Sequence, residues 1–261
     1  MFQILKTKKD YLSVRLTPQR RLDQALLKED IEDPASVTKL AITGTMTRAD
    51  FKFIRKKMAR TLQELDMSNA TLEEGKLNRG ALAHCVALTF VAIPIWVSEI
   101  SEGAFTNCLS LNSFTIPKSV TKIGELAFWG CRGLTSINIP DSVTEFEFRA
   151  FNNCTGLTSV VLPNSVVKIG GSAFGKCTGL TSINIPDSVT VIGNGAFANC
   201  TSLEAIYIPK TVTDIGMFVF DGCDAIVTVH PDNPVYLSKN GKLMTRFALE
   251  LLHGNAQAAK N

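Results

Sequence analysis

The sequence predicts an α/β repeat solenoid, and two observations carry that prediction. LTSINIPDSVTEFEFRAFNNC (Leu134 to Cys154) returns as LTSINIPDSVTVIGNGAFANC (Leu180 to Cys200). All seven cysteines, Cys85, Cys108, Cys131, Cys154, Cys177, Cys200 and Cys223, lie 23 residues apart. Self-similarity at a fixed period of this size marks stacked supersecondary units, none of which buries its apolar face alone. The 261 residues are therefore expected to form one continuous body.

Within a repeat the roles follow from periodicity. Leu134, Ile137 and Ile139 point inward from a strand while Ser136 and Asn138 point outward. Pro140 cannot donate to a ladder and ends the strand, and Asp141-Ser142 begins a bend. Val143 and Phe146 point inward again from a second extended segment. Gly124, Gly170, Gly193 and Gly216 read as tight turns with unusual dihedrals. The AFxxC segment reads as one or two turns of 3-10 or α-helix burying Ala150, Phe151 and Cys154. The cysteines share one phase, so they stack in a column at about 5 Å per rung. Their Cβ vectors run parallel, which argues against disulfides, and the column reads as core. There is no CxxC, and His84, His230 and His253 are the three histidines available, so a zinc site is not expected.

Taken in order, residues 1–35 read as a basic, irregular lead-in in which Val14, Leu16 and a short helix from Arg20 to Lys28 close the stack. VTKLAIT from Val37 is the first half-buried strand. Thr47 with Asp50 three residues later has a capping-box-like pattern. It opens a helix from Arg48 to Leu62 with Phe51, Ile54, Met58 and Leu62 on one face. The opposite face carries Arg48, Lys52, Arg55, Lys56 and Arg60. LQELDMSN has the LxxLxLxxN spacing of a leucine-rich repeat, in which Asn69 bonds backbone at the turn out of the strand. Aligned core positions are Leu40, Leu65, Val91, Phe114, Ile137, Val160, Ile183, Ile206 and Val229. Nine rungs at about 4.8 Å give a single sheet roughly 40 Å long. Asn240-Gly241 between Tyr236-Leu237 and Leu243-Met244 signals a closing hairpin. Phe247 to Leu252 reads as a last strand or short helix, followed by a disordered tail. The divisions expected are 1–61 for the N-terminal cap and first unit, 62–234 for the repeats and 235–261 for the hairpin cap and tail.

These motifs resemble the BspA-type leucine-rich repeat family, whose units read roughly LtsIxIPxsVtxIGxxAFxxC. The resemblance covers Val37 to Leu252, and VTKLAITGTMTRADFKFIRKK and NPVYLSKNGKL match the family's flanking segments. It implies a right-handed curved solenoid with a parallel sheet on the concave face and short helical turns and extended segments on the convex face. It also implies a protein exported to the surface of a gut-type anaerobic bacterium, some relatives being adhesins. No leader precedes the repeats in this sequence, which leaves a cytoplasmic location as the alternative.

Composition excludes more than it selects. No run of 18 apolar residues occurs, the longest apolar stretch being Val86 to Val97, so no membrane-spanning segment is expected. Residues 1–60 hold 14 Lys/Arg against 7 Asp/Glu, and the remainder 13 against 17. The basic end reads as a solvated cap face rather than a nucleic-acid surface. No phosphate loop, GxSxG, HExxH or EF-hand pattern is present, so neither an enzyme nor a cofactor is expected.

Binding to protein or glycan is the function the sequence favours, with the protein a monomer or weak dimer. Two surfaces are candidates. The strand face is small and polar in the middle, with Phe90, Asn138, Asn184, Tyr207 and His230 as its candidate contacts. The outer edge carries Trp96, Leu126, Trp129, Phe148, Met217 and Phe218 where sister repeats are polar or small, and Leu126, Trp129 and Phe148 come from adjacent rungs. Two alternatives are an intracellular scaffold holding an acidic partner on the basic helix face, and a structural spacer with no ligand.

Overall fold

The computed structural model describes residues 10–246. The chain begins with β1 (Leu12–Leu16), α1 (Leu22–Lys28), β2 (Lys39–Met46), α2 (Arg48–Lys57) and β3 (Glu64–Leu72). Residues expected to be irregular thus supply a strand. β1 pairs in parallel with β2, Val14 opposite Ile42, and adds a rung in front of the first one expected. Val14 and Leu16 are buried there, so the alternation of apolar and polar residues between 12 and 16 is strand periodicity.

Asp50 fixes this end of the molecule. It is 2% exposed, and its carboxylate accepts from the Thr47 amide (2.9 Å), the Thr47 hydroxyl (2.7 Å) and the Leu22 amide (2.8 Å). The capping pattern read from the sequence is present, and it also joins the start of α1 to the start of α2. The helix is shorter than expected, ending at Lys57 instead of Leu62. The Gln63 and Glu64 amides both bond the Thr38 carbonyl, at 2.7 and 3.0 Å, and this ladder pulls the chain out of helical register. Asn69 is not at a turn: β3 runs on to Leu72, and Asn69 lies exposed across from Thr43.

From here short strands alternate between two faces. They are β4 (Phe90–Ala92), β5 (Glu99–Ile100), β6 (Ser113–Thr115), β7 (Lys122–Ile123), β8 (Ser136–Asn138) and β9 (Glu145–Phe146). Then come β10 (Ser159–Val161), β11 (Lys168–Ile169), β12 (Ser182–Ile183), β13 (Val191–Ile192), β14 (Ala205–Ile208) and β15 (Asp214–Ile215). β16 (Ile226–Val229) leads into the hairpin of β17 (Tyr236–Lys239) and β18 (Lys242–Thr245), which pair antiparallel. β1 to β4 and the even strands from β6 to β16 form one wall, the strand face. The odd strands from β5 to β15 form a six-stranded parallel sheet of their own.

The strand face is not one sheet. Hydrogen bonding divides it into β1 to β4, then β6 with β8, β10 and β12, and lastly β14 with β16. At the second break Asn184 follows a β12 of two residues, and its side chain bonds back to the Leu162 amide and carbonyl of the preceding rung (2.9 and 3.2 Å). A long 3.4 Å bond from Glu204 to Thr181 is what joins the backbones there. The last rung is also shorter than its sequence alignment. Ile206 pairs with Val227, and Val229 pairs with Ile208, so the step is 21 residues instead of 23.

The AFxxC segments are turns, not helices. Their amides alternate: Ala104 and Ala127 bond three residues back, at 3.2 Å, while Phe105, Phe128 and Phe151 bond the next rung at 2.8 Å. A helix needs every amide for itself. The glycines Gly124, Gly170, Gly193 and Gly216 have ordinary negative φ; close approach of rungs requires them. A Cβ on Gly193 would lie 2.6 Å from the Gly171 nitrogen, and one on Gly216 2.5 Å from that of Asn194.

Two columns run through the core. Phe105, Phe128, Phe151, Phe174, Phe197 and Phe220 stack with centroids 5.1 to 5.9 Å apart and planes within 10°. Offset stacking of this kind adds about 0.5–1.5 kcal/mol per pair beyond burial. Beside it run the cysteines, free and buried except for the half-buried Cys223. They are more than small apolar groups: Cys131, Cys154 and Cys177 each point Sγ–H at the carbonyl of the spine phenylalanine one rung back, at 3.1 to 3.2 Å. At the far end Asn233 is 1% exposed, donates to the Pro209 and Val212 carbonyls, and accepts from the Val235 and Tyr236 amides. The expected element from Phe247 to Leu252 and the tail lie outside the described residues.

Replacing Asp50 by alanine leaves the Leu22 and Thr47 amides without their acceptor and should lower unfolding stability by about 3 kcal/mol, measured by urea titration. A loss under about 0.5 kcal/mol, the range of an ordinary surface substitution, contradicts the anchoring role.

Candidate functional site

What the repeats share is committed to holding rungs together. Ser119, Ser165 and Ser188 donate to the carbonyls of Val97, Val143 and Val166 one rung back, at 2.6 to 2.7 Å. Thr135, Thr158 and Thr181 make the corresponding bonds from the start of the strands, at 3.1 to 3.3 Å. A recognition surface is therefore to be sought where one copy departs from its sisters.

On the strand face the expected contacts separate into a pair and three isolated residues. Tyr207 is 46% exposed, and its ring meets that of His230 edge-on at 6.4 Å between centroids. His230 accepts at Nδ1 from the Asp232 amide (3.0 Å), which places its proton on Nε2, the remaining ring nitrogen. Phe90 is half-buried in β4, five strand positions away, or about 24 Å at the usual spacing. Asn138 is exposed in β8. Asn184 is exposed too, but its amide is engaged on Leu162.

The turn face carries the second group. The Leu126 amide bonds the Phe148 carbonyl at 3.0 Å, so these two departures lie on neighbouring rungs. Phe148 is 43% exposed, with the Arg149 guanidinium 4.7 Å from its ring centroid. Trp129 and Leu126 are half-buried. Trp129 forms the wall of an open groove of about 420 Å³, lined also by Arg132, Arg149 and Lys176. The sequence reading singled out the departure at Glu145 to Arg149 but neither Arg132 nor Lys176. The signal was there: Arg132 stands where sister rungs have Thr155, Thr178 and Thr201, and Lys176 where they have Asn153 and Asn199. The loss of glycine at Glu147 has a structural explanation, since its carboxylate accepts from the Glu125 amide (2.8 Å) and pairs with Lys122 (2.9 Å).

The basic face of α2 is partly occupied. Arg55 donates to the Gly80 and Ala81 carbonyls, both at 2.8 Å, and Arg48 pairs with Glu74 at 2.9 Å. Lys52 and Lys56 stay exposed beside a groove shared with Arg21 and Asp23. Among the described residues no group of three or more His, Cys, Asp or Glu is placed to hold a metal ion. No helix among them is long and apolar enough to cross a membrane. Burial pushes the thiols of Cys85, Cys131 and Cys177 up to about 12. Cys223 differs: its interaction with the neighbouring Cys200 thiol lowers it below the usual thiol value.

Stacked coils of parallel strands with little helix define the leucine-rich repeat class, whose members are generally non-enzymatic and suggest a protein-interaction module. The sequence matches the BspA type leucine rich repeat region in six copies over residues 75–204 and 167–240, and the chain belongs to that family. Among solved structures it is similar to the pneumococcal vaccine antigen PcpA, with 30% identity over 52% of this chain and 34% of that one and a TM-score of 0.48. A T. pallidum leucine-rich repeat protein shares 28% identity over 54% of this chain and 72% of its own, with a TM-score of 0.42. A Bacteroides ovatus leucine-rich repeat protein shares 24% over 83% and 63%, with a TM-score of 0.47. The chain thus spans about a third of the length of the pneumococcal antigen it resembles. No match was found among curated proteins.

Thiol labelling tests the cysteine column. With iodoacetamide, Cys223 should react in the folded protein at lower pH than an ordinary thiol, because its pKa is lowered and the thiolate is the nucleophile. Cys85, Cys131 and Cys177 should stay unlabelled until denaturant is added, since burial holds them protonated up to about pH 12. Mass spectrometry of peptides reads both, and equal labelling of all four contradicts the packing described.

Proposed function

We propose that the chain is a non-enzymatic recognition module of an exported bacterial protein, binding a protein or glycan at the cell surface. One observation carries this reading. The residues common to the repeats are used up in inter-rung bonds and core, while exposed or half-buried aromatics occur where copies diverge, at Tyr207 beside His230 on one face and at Trp129 and Phe148 on the other. Aromatic side chains with one face exposed supply large contact area at low entropic cost, and they dominate binding hot spots. The surface location and the adhesive role rest on the family resemblance. The cap, repeat and hairpin divisions at 1–61, 62–234 and 235–261 are part of the same proposal, the repeats presenting the surface and the ends closing it.

The scaffold alternative, with an acidic partner on α2, is the weaker reading because Arg55 and Arg48 are engaged within the chain. A screen against matrix proteins and glycans tests the proposal. Tyr207→Ala or Trp129→Ala should weaken a captured ligand more than tenfold, as expected for removal of an aromatic hot spot. Ligand binding that neither substitution changes, or the absence of any ligand, overturns the assignment of these surfaces.

A further inference from the structure

The groove on the turn face contains four departures from the repeat that converge from three successive rungs. Trp129 stands where sister rungs have Thr106, Asn152, Gly175 and Ala198. Arg149 stands where they have Ser172 and Gly195. With Arg132 and Lys176 these place one indole and three cations around a single opening of about 420 Å³. No Asp or Glu lines that opening, and among the described residues no ion pair within 4.0 Å involves any of the three cations. Three positive groups on successive rungs, with no carboxylate in the groove to offset them, repel one another. The sister residues would make the scaffold equally well without that cost.

We propose that this groove is a binding site for an anionic oligosaccharide, one bearing sulfate or carboxylate groups. The indole offers an apolar face to a sugar ring, and the guanidinium and ammonium groups offer charge-assisted hydrogen bonds to its acidic groups. Asn153, Ser172 and Asn199 add amide and hydroxyl groups that both donate and accept, the complement of sugar hydroxyls. An acidic peptide fits less well. The groove's backbone amides at Asn153 and Lys176 already bond Gly175 and Ala198 of the next rung, at 2.8 and 2.7 Å, leaving no strand edge to extend. A single-stranded nucleic acid fits less well too, because it stacks on successive aromatics and the groove has one. Gly175 lets the Asn152 amide lie against the backbone at the floor of the groove, since a Cβ there would lie 2.7 Å from Asn152 Nδ2. The site rests on the reading of the chain as a binding module but is separate from the strand face.

The repeat itself supplies substitutions that keep the scaffold. Lys176→Asn and Arg149→Ser install residues that sister rungs carry at nearly the same positive φ, with Lys176 at 60° against 62° and 59° for Asn153 and Asn199, and Arg149 at 57° against 52° for Ser172. Arg132→Thr and Trp129→Ala are likewise sister residues. Binding of the described chain to a heparin oligosaccharide, a hyaluronan oligosaccharide, dextran, polyglutamate and an oligothymidylate is measured by calorimetry at physiological salt. We expect heparin or hyaluronan to bind, dextran not to bind, and each of the four variants to lose about tenfold in affinity, the three variants at the exposed cations with an unchanged melting temperature. Heparin without hyaluronan assigns sulfate as the recognised group, and equal binding of the two assigns the carboxylate. Tyr207→Ala should leave this binding unchanged, so failure here is distinguishable from failure of the strand-face reading. No glycan binding, equal binding of polyglutamate or oligothymidylate, or affinity unchanged in the four variants overturns the proposal.

Discussion

Every part of this molecule depends on one constraint: each rung must satisfy its backbone on the rungs before and after it. Phe128 donates forward to Ala150, the Cys154 thiol donates back to Phe128, and Ser165 donates back to Val143. A rung has too few internal bonds and too little apolar surface to fold alone. Its stability is a sum of neighbour terms along the stack. That requirement fixes what can occupy the shared positions. Glycine at 193 and 216 follows from backbone approach, and the cysteine follows from the need for a small, buried donor beside the phenylalanine spine.

The ends of the array answer the same constraint by other means. At the front, β1 supplies one more strand, and Asp50 accepts from the amides at two helix starts that no helix carbonyl can reach. At the back, Asn233 accepts and donates in place of a missing rung, and the Arg246 guanidinium bonds the Pro231 and Asn233 carbonyls. Both are single buried polar side chains that satisfy several backbone groups at once, which suits a position where no further rung can do so.

Because the interior is so determined, functional information is confined to what a rung can vary without loss. The turn face is tolerant, since its side chains point away from the ladders at positions such as 129, 132, 149 and 176. Glu147 shows the limit of that tolerance. It stands at a glycine position, its amide bond to Ile123 is stretched to 3.4 Å against 2.8 Å at Gly193, and its carboxylate compensates by taking up the Glu125 amide and Lys122. So the rung at 145–149 holds a structural departure and an exposed one side by side. The residue types alone do not separate them.

The sequence by itself determined the repeat, its period, the inward residues of each strand and the cysteine column, because a 23-residue period forces equivalent positions into equivalent environments. It also determined the capping pattern at Thr47 and Asp50, which is local. Tertiary structure decided the rest. The sheet breaks at Asn184 and the 21-residue last step depend on which carbonyl each amide finds in the neighbouring rung, and no single rung encodes that. The AFxxC segments are too short for their turns to be distinguished from helix until the next rung claims alternate amides. The meeting of Trp129, Arg132, Arg149 and Lys176 was likewise hidden, since residues up to 47 positions apart become neighbours only when rungs stack.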